Sequence, residues 1–380
     1  MKVAFFSNFM NHHQLYFCLE MQKRLGDGFT FVATEEVPEE QLKLGYYDLN
    51  HKYDFILNSH DSEENAAKAM TLAKECDVMI IGSAPEVYLQ ERMKLNKLSF
   101  RFNERPLKEG KRKIFNPHTF SRMYKMHTRY VFKNLYMLCA SAYTKGDCSL
   151  VGAYPKKAFK WGYFPEVKSY DDVGKLIDAK RSVSILWCAR LIDWKHPEIA
   201  VEVSKRLKAD GYKFHTEIIG VGTMEEEIKS LITRYGLDNE VKLLGSMSPE
   251  YVRRHMEQSE IFLFTSDRKE GWGAVLNEAM NSACAVVASK AAGATPFLVK
   301  NGYNGYMCKS GDADDFYKNV KAYFDDEKTR KEVSLNAYKT MTELWNPTMA
   351  AERFIEFSEE LLNGRKKVYD EGPLSYAKKI

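Results

Sequence analysis

Glu270 and Glu278 are separated by seven residues in the stretch EGWGAVLNEAM. A carboxylate only accepts hydrogen bonds, so two of them at this spacing suit a ligand rich in hydroxyl donors. Arg190 and Lys195 follow an earlier apolar run, Ser184 to Cys188. The guanidinium offers a rigid fork of donors and the ammonium a point charge, together enough to offset two phosphate charges. Gly271 and Gly273 let the backbone come close to a ligand. A helix beginning near Ala274 would turn unpaired N–H groups toward a phosphate. The chemistry these residues suit is the binding of hydroxyl donors by the carboxylates and of phosphate by the cations and the helix start.

The elements that must position them follow from the apolar pattern. Ile261 to Phe264 is short and β-rich enough for a buried strand, and Ala285 to Ala288 is a second such run. Strand, loop, helix and strand make the repeating unit of a parallel sheet. Ser184 to Cys188 opens the same kind of unit, with Pro197 where a helix can start. Thr216 to Ile219 leads into the turn Gly220-Val221-Gly222, and Val241 to Leu244 ends in Gly245-Ser246-Met247.

EGWGAVLNEAM closely resembles the donor-site motif of retaining glycosyltransferases of the GT-B fold, in particular glycosyltransferase family 4, the glycosyl transferases group 1. The resemblance implies an α/β protein of two Rossmann-like domains whose parallel sheets face each other across a cleft. It implies that Glu270 contacts the transferred sugar and Glu278 the ribose of the nucleotide. Gly271, Trp272, Gly273, Ala274 and Val275 would face the sugar and diphosphate, and Arg190 and Lys195 would hold the diphosphate. The turns at Gly222 and at Gly245, Ser246 and Met247 would lie at the nucleotide. Ala189 stands where the family usually has Gly. Gly293-Ala294-Thr295-Pro296 and Asn301 to Gly305 resemble the family's closing turns. The implied reaction moves a sugar from a UDP- or GDP-linked donor to a hydroxyl acceptor with retention, with neither metal nor cofactor. The rival from another class is a non-catalytic GT-B subunit that activates a partner. The likeness is strong over 183–310 and faint over 1–165.

Lys2 to Phe6 reads as a first strand, residues 7–14 as a glycine-free loop, and Leu15 to Leu25 as a helix. Further strands are expected at 29–33, 53–57, 78–81 and 99–103, a helix at 62–75, and the last strand and helix of the first domain at 136–142 and 148–152. His12 and His13 are candidates for the acceptor side. So are Glu104 and Arg105, a pair at a strand's carboxyl end, with a surface ion pair as the plain alternative. Asp312 and Asp314 have the spacing of a D-x-D metal site, but their place suits the cap of a helix over 315–324. The expected domains are 1–167, completed by a crossover helix at 346–380, and 183–345, with a charged linker at 168–181.

A length of 380 residues suits two domains. A net charge of +4 makes no global demand for nucleic acid. Seven cysteines without a C-x-x-C pair read as small core residues of a reducing cytosol. No apolar run approaches the ~20 residues a membrane span needs, and the start is too short for a signal peptide. Residues 101–145 hold eleven Lys or Arg against two Glu, interleaved with Phe, Tyr and Met. That composition suits an anionic membrane surface or a lipid-linked phosphate, and a solvated helix face is its plain alternative. No RNA-binding module accompanies it. The expectation is a cytoplasmic enzyme at the inner face of the membrane, taking a carbohydrate or lipid-linked saccharide acceptor in bacterial surface polysaccharide or glycolipid synthesis.

Overall fold

The computed structural model describes residues 1–39, 47–181 and 184–380. It divides into two compact units, Met1–Glu166 with Asn346–Ile380, and Val167–Trp345. The expected start of the second half at 183 falls outside the described residues.

The first unit is built on a parallel sheet of β1 (Val3–Ser7), β2 (Phe29–Ala33), β3 (Ile56–Asn58), β4 (Val78–Ile81), β5 (Ser99–Asn103), β6 (Leu135–Cys139) and β7 (Ala158–Lys160), in the order β3-β2-β1-β4-β5-β6-β7. All five residues of β1 and all four of β4 are buried. Strands covered on both faces lose alternation and read as continuous apolar runs, which is why they were legible. The third strand is shorter than expected, and β7 follows a helix at Thr144–Ser149 rather than at 148–152.

Helix Pro347–Leu362 closes this unit, packed on helix His12–Leu25. Its Phe354 ring stands 5.0 Å from Phe100, 6.0 Å from Trp161 and 6.1 Å from Phe17. Within the expected crossover segment 346–380 the helix itself ends at Leu362. Beyond it the chain runs back along β7, where the Lys160 N–H donates to Ser375 O at 2.7 Å and Leu374 N–H to Lys160 O at 2.8 Å. That pairing uses backbone groups that the edge strand would otherwise leave open.

The second unit has a parallel sheet of β8 (Ser184–Cys188), β9 (His215–Ile219), β10 (Val241–Leu243), β11 (Ile261–Phe264), β12 (Ala285–Ser289) and β13 (Tyr306–Cys308), ordered β10-β9-β8-β11-β12-β13. The strand sequence reverses direction at β8/β11, as it does at β1/β4 in the first unit. Ligands of open parallel sheets bind outside the carboxyl ends of strands at such a point.

Residues 168–181 are not a free linker. Val173–Asp178 is helical, and the segment is fastened to the second unit. Lys168 N–H donates to Asn281 Oδ1 at 2.9 Å, and the Tyr170 hydroxyl to Glu257 Oε1 at 2.7 Å. The buried Lys180 ammonium donates to the carbonyls of Met256, Ser259 and Ser282 at 3.0, 2.7 and 2.9 Å. Three acceptors match its three protons, which is how a buried lysine is tolerated. Among the described residues, no helix is long and apolar enough to cross a membrane.

Candidate functional site

The carboxyl ends of β8 and β11 bring the sequence-predicted cations and carboxylates together. Lys195 ends a short 3-10 turn, Asp193–Lys195, after β8. Its ammonium is ion-paired with Glu270 Oε2, and the two side chains are 12% and 11% exposed. The same Glu270 oxygen accepts a hydrogen bond from Ser266 Oγ at 3.0 Å. A pair this enclosed is costly to desolvate and is retained where both lone pairs and protons find partners.

Two adjacent residues at the end of β11 fix both halves of that pair. Thr265 Oγ1 accepts from the Trp187 indole N–H at 2.7 Å and donates to Lys195 O at 2.5 Å. Ser266 holds the Glu270 carboxylate, and Asp267 N–H donates to Trp194 O at 2.9 Å. Thr265 and Ser266 are both buried. The Lys195 ammonium lies 4.3 Å from the Trp194 ring centre, and the exposed Arg190 guanidinium 5.8 Å from it. One aromatic ring therefore lies near both cations.

Glu278 sits in helix Val275–Asn281, half-buried. The Cys188 thiol at the end of β8 is pushed up to about 12 by burial and by the Glu278 carboxylate, with Lys195 acting in the opposite sense. Glu278 and Lys195 thus act on one strand end. That helix is only seven residues long and has no side-chain N-cap.

The surrounding loops are braided by backbone hydrogen bonds. Ala189 N–H donates to Ile219 O and Leu191 N–H to Val221 O, at 3.1 and 2.9 Å. Gly293 N–H donates to Glu270 O at 3.3 Å and Ala294 N–H to Trp272 O at 3.1 Å. The turn resembling a closing turn is thereby tied to the glutamate loop.

Two glycines have structural reasons that need no ligand. A Cβ on Gly222 would lie 2.3 Å from Leu191 O, so the turn after β9 packs directly on the chain after β8. A Cβ on Gly273 would lie 2.3 Å from the Phe264 ring, and its φ of +94° is one that side chains rarely adopt. Trp272 corrects the sequence reading. Its side chain is 1% exposed and its indole N–H donates to Asn277 Oδ1 at 2.9 Å, so only its backbone can face a ligand. Gly271 and Ala274 are buried, Val275 is half-buried, and Gly245, Ser246 and Met247 follow β10 with Ser246 exposed.

In the first unit, His12 and His13 open the helix after β1 rather than sitting in a loop, and Asn11 caps it by accepting from His13 N–H and Gln14 N–H at 3.0 and 3.1 Å. Their ring centres are 3.7 Å apart. Burial lowers His12 to about 4, and burial with the neighbouring His12 lowers His13 to about 3, so both are neutral at physiological pH. Among the described residues the buried His13 Nδ1 finds no hydrogen-bond partner. Tyr163 stands 5.6 Å from the His13 ring and donates its hydroxyl to Glu104 Oε1 at 3.1 Å.

Glu104 and Arg105 are not a pair. Glu104 binds Lys108 at 2.5 Å, whereas Arg105 is turned inward, 6% exposed, against the Asp147 carboxylate at 3.4 Å. Arg105 is therefore a structural clamp and not a group offered to an acceptor. Asp312 caps helix Ala313–Asp325 through Asp315 N–H at 3.1 Å, and Asp314 pairs with Arg206 at 2.9 Å. Among the described residues, no three His, Cys, Asp or Glu side chains converge as metal ligands would. Ser266, Thr265 and Trp194 were not singled out from sequence. The available signal was a serine four residues before Glu270, at the end of a buried strand.

Residues 174–340 match the family described as glycosyl transferases group 1. The chain is 34% identical to the amylovoran biosynthesis glycosyltransferase AmsK of Erwinia amylovora over 145 residues, 37% of this chain and 35% of that protein. It is 31% identical over 130 residues to the putative colanic acid biosynthesis glycosyltransferase WcaL of Salmonella typhimurium, 33% of this chain and 32% of that one. The chain thus matches about a third of the length of these curated relatives. Among solved structures, Anabaena HepE in complex with UDP superposes with a TM-score of 0.69 at 16% identity, covering 94% of this chain and 99% of that one. Sucrose-phosphate synthase from Thermosynechococcus elongatus gives 0.64 at 13% identity, covering 96% and 100%. At these identities the likeness shows the fold, GT-B.

Proposed function

We propose that this GT-B chain, whose residues 174–340 form a glycosyl transferases group 1 domain, transfers a sugar from a nucleotide-diphosphate donor to a hydroxyl acceptor with retention. The observation that carries the reading is the Lys195–Glu270–Ser266 arrangement at the β8/β11 reversal, with Glu278 on the helix that follows.

Breaking the sugar–phosphate bond moves its electron pair onto the leaving diphosphate and leaves an oxocarbenium-like sugar. Lys195 and Arg190 would take up the growing negative charge, which is the largest electrostatic contribution available. Glu270 would hold sugar hydroxyls through the oxygen not engaged by Lys195 and Ser266, and Glu278 the ribose. The acceptor oxygen attacks on the face the diphosphate leaves, and its proton passes to a leaving phosphate oxygen. No side-chain base is then required. Neutral His12 and His13 are the acceptor-side candidates, since an uncharged imidazole can donate to or accept from a hydroxyl.

The donor is read as UDP-linked, because HepE is described in complex with UDP and with UDP-glucose. The acceptor class, a carbohydrate or lipid-linked saccharide of surface polysaccharide synthesis, is suggested by the names of AmsK and WcaL. A thermal-shift screen against UDP- and GDP-sugars tests the donor. A ligand at 100-fold its Kd stabilises the native state by ~2.7 kcal/mol. A rise in Tm with UDP or a UDP-sugar is expected, and no response to any nucleotide would overturn the reading.

A further inference from the structure

The segment between β5 and β6 carries a surface whose composition the transfer reaction does not use. From 110 to 146 there is no Asp or Glu, while Lys111, Arg112, Lys113, Arg122, Lys125, Arg129, Lys133 and Lys145 supply eight cations. Folding sorts the basic residues singled out from sequence. Arg101 is buried in a two-pronged ion pair with Glu86, at 2.5 and 2.9 Å, and Arg105 is held by Asp147. Lys145 is spent on the carbonyl of Tyr154 at 2.8 Å. These three hold the fold. Arg112, Lys113, Arg122, Lys125 and Arg129 are exposed.

The same stretch exposes aromatic rings. Phe115 is 84% and Phe132 96% exposed, and Phe120 and Tyr124 are about half exposed, at 47% and 49%. Phe120 and Tyr124 stand four residues apart across helix Pro117–Met123 and the turn after it, so they share one flank. The inward side of the segment is firmly held by buried Ile114, Met123, His127 and Tyr130. His127 Nδ1 lies 3.2 Å from the Tyr154 hydroxyl, and Thr128 Oγ1 donates to Val151 O at 2.6 Å. The rings are therefore presented by an anchored segment. Exposed phenylalanines interleaved with cations, without an acidic residue, suit an interface that is anionic at its surface and apolar a few ångströms deeper.

We infer that residues 111–133 form a docking surface for anionic phospholipid, with Phe115 and Phe132 entering the acyl boundary and Arg112, Lys113, Arg122, Lys125 and Arg129 meeting the headgroups. This deepens the transferase reading by naming the surface that would bring the first unit to a lipid-linked acceptor. Its test requires no turnover, so it can fail while the transferase reading stands.

The purified full chain is sedimented with vesicles of phosphatidylcholine alone and of phosphatidylcholine with phosphatidylglycerol, at low and high salt. Binding only to the anionic vesicles, weakening with salt, is expected. Phe115→Ser with Phe132→Ser should weaken that binding ~10-fold, and Arg112, Lys113, Arg122 and Lys125 changed together to Ser should do so at least as much. Circular dichroism should stay native, since all six residues are exposed. A Phe132→Trp variant should gain fluorescence quenching by brominated anionic lipid. Equal binding to neutral and anionic vesicles, or binding unchanged in both variants, would overturn the inference. So would absence of vesicle binding together with RNA binding or self-association that the same substitutions abolish.

Discussion

Ser266 Oγ donates to Glu270 Oε2 at 3.0 Å, on the oxygen that also meets the Lys195 ammonium. One carboxylate oxygen is thereby occupied and the rotamer of the side chain is set. Ser266→Ala should lower kcat by about 10-fold with little change in KM, because the loss is in positioning rather than in donor contact. Ser266→Thr should recover part of it. A fall confined to KM would assign Ser266 to donor binding instead.

Arg190→Ala and Lys195→Ala should each lower kcat/KM by ~10²-fold, the usual cost of removing one preorganised charge donor. Lys195→Ala also leaves Glu270 without its cation in an enclosed site, so its melting temperature is to be measured beside its activity. Full turnover in the double variant would remove both from the diphosphate.

Activity should persist in EDTA. The two carboxylates with metal-site spacing are engaged elsewhere, Asp312 in a helix cap and Asp314 with Arg206. Loss of activity on chelation, restored by magnesium or manganese, would contradict the metal-free mechanism.

The first unit should lose stability in mild acid. His127 is 1% exposed, and burial, with Arg101 and Arg122 nearby, lowers it to about 3. A histidine depressed in the native state binds its proton in the unfolded chain first. Its stabilising contribution is therefore complete above the ordinary value near 6.5 and falls as pH drops toward 3. Between pH 6.5 and 4.5 that amounts to ~2 kcal/mol. Urea melts at these two pH values should converge in His127→Phe relative to wild type.

Phe354→Ala should destabilise the unit formed by 1–166 and 346–380 by ~3–5 kcal/mol, since it removes a ring packed on Phe100, Trp161 and Phe17. Urea unfolding followed by tryptophan fluorescence measures it.

The sheets were legible because doubly covered parallel strands are written as apolar runs, and the spacing of Glu270 and Glu278 with Arg190 and Lys195 located the strand ends that gather them. What side chains do once the chain is folded was less legible. Arg105 was expected, beside Glu104, on the acceptor side, yet the partner that draws it inward is Asp147, 42 residues away. Trp272 lay inside the motif but fills the core, where its N–H finds Asn277. The charged stretch 168–181 had a linker's composition, but Lys180 finds three carbonyls at the ends of helices far along the chain. Arg105 and Lys180 depend on long-range contacts that local pattern does not encode, and the inward turn of Trp272 on how its loop folds back to Asn277.

The central claim is that the β8/β11 end cleaves a nucleotide-sugar bond with Glu270 in place. It is tested most directly by nucleoside diphosphate release from a panel of UDP- and GDP-sugars, using the purified chain and its Glu270→Gln variant. Release from at least one donor is predicted, reduced ~10²-fold or more in Glu270→Gln at unchanged nucleotide affinity. Nucleotide binding without release from any donor would contradict the account and leave a non-catalytic subunit that serves a partner transferase.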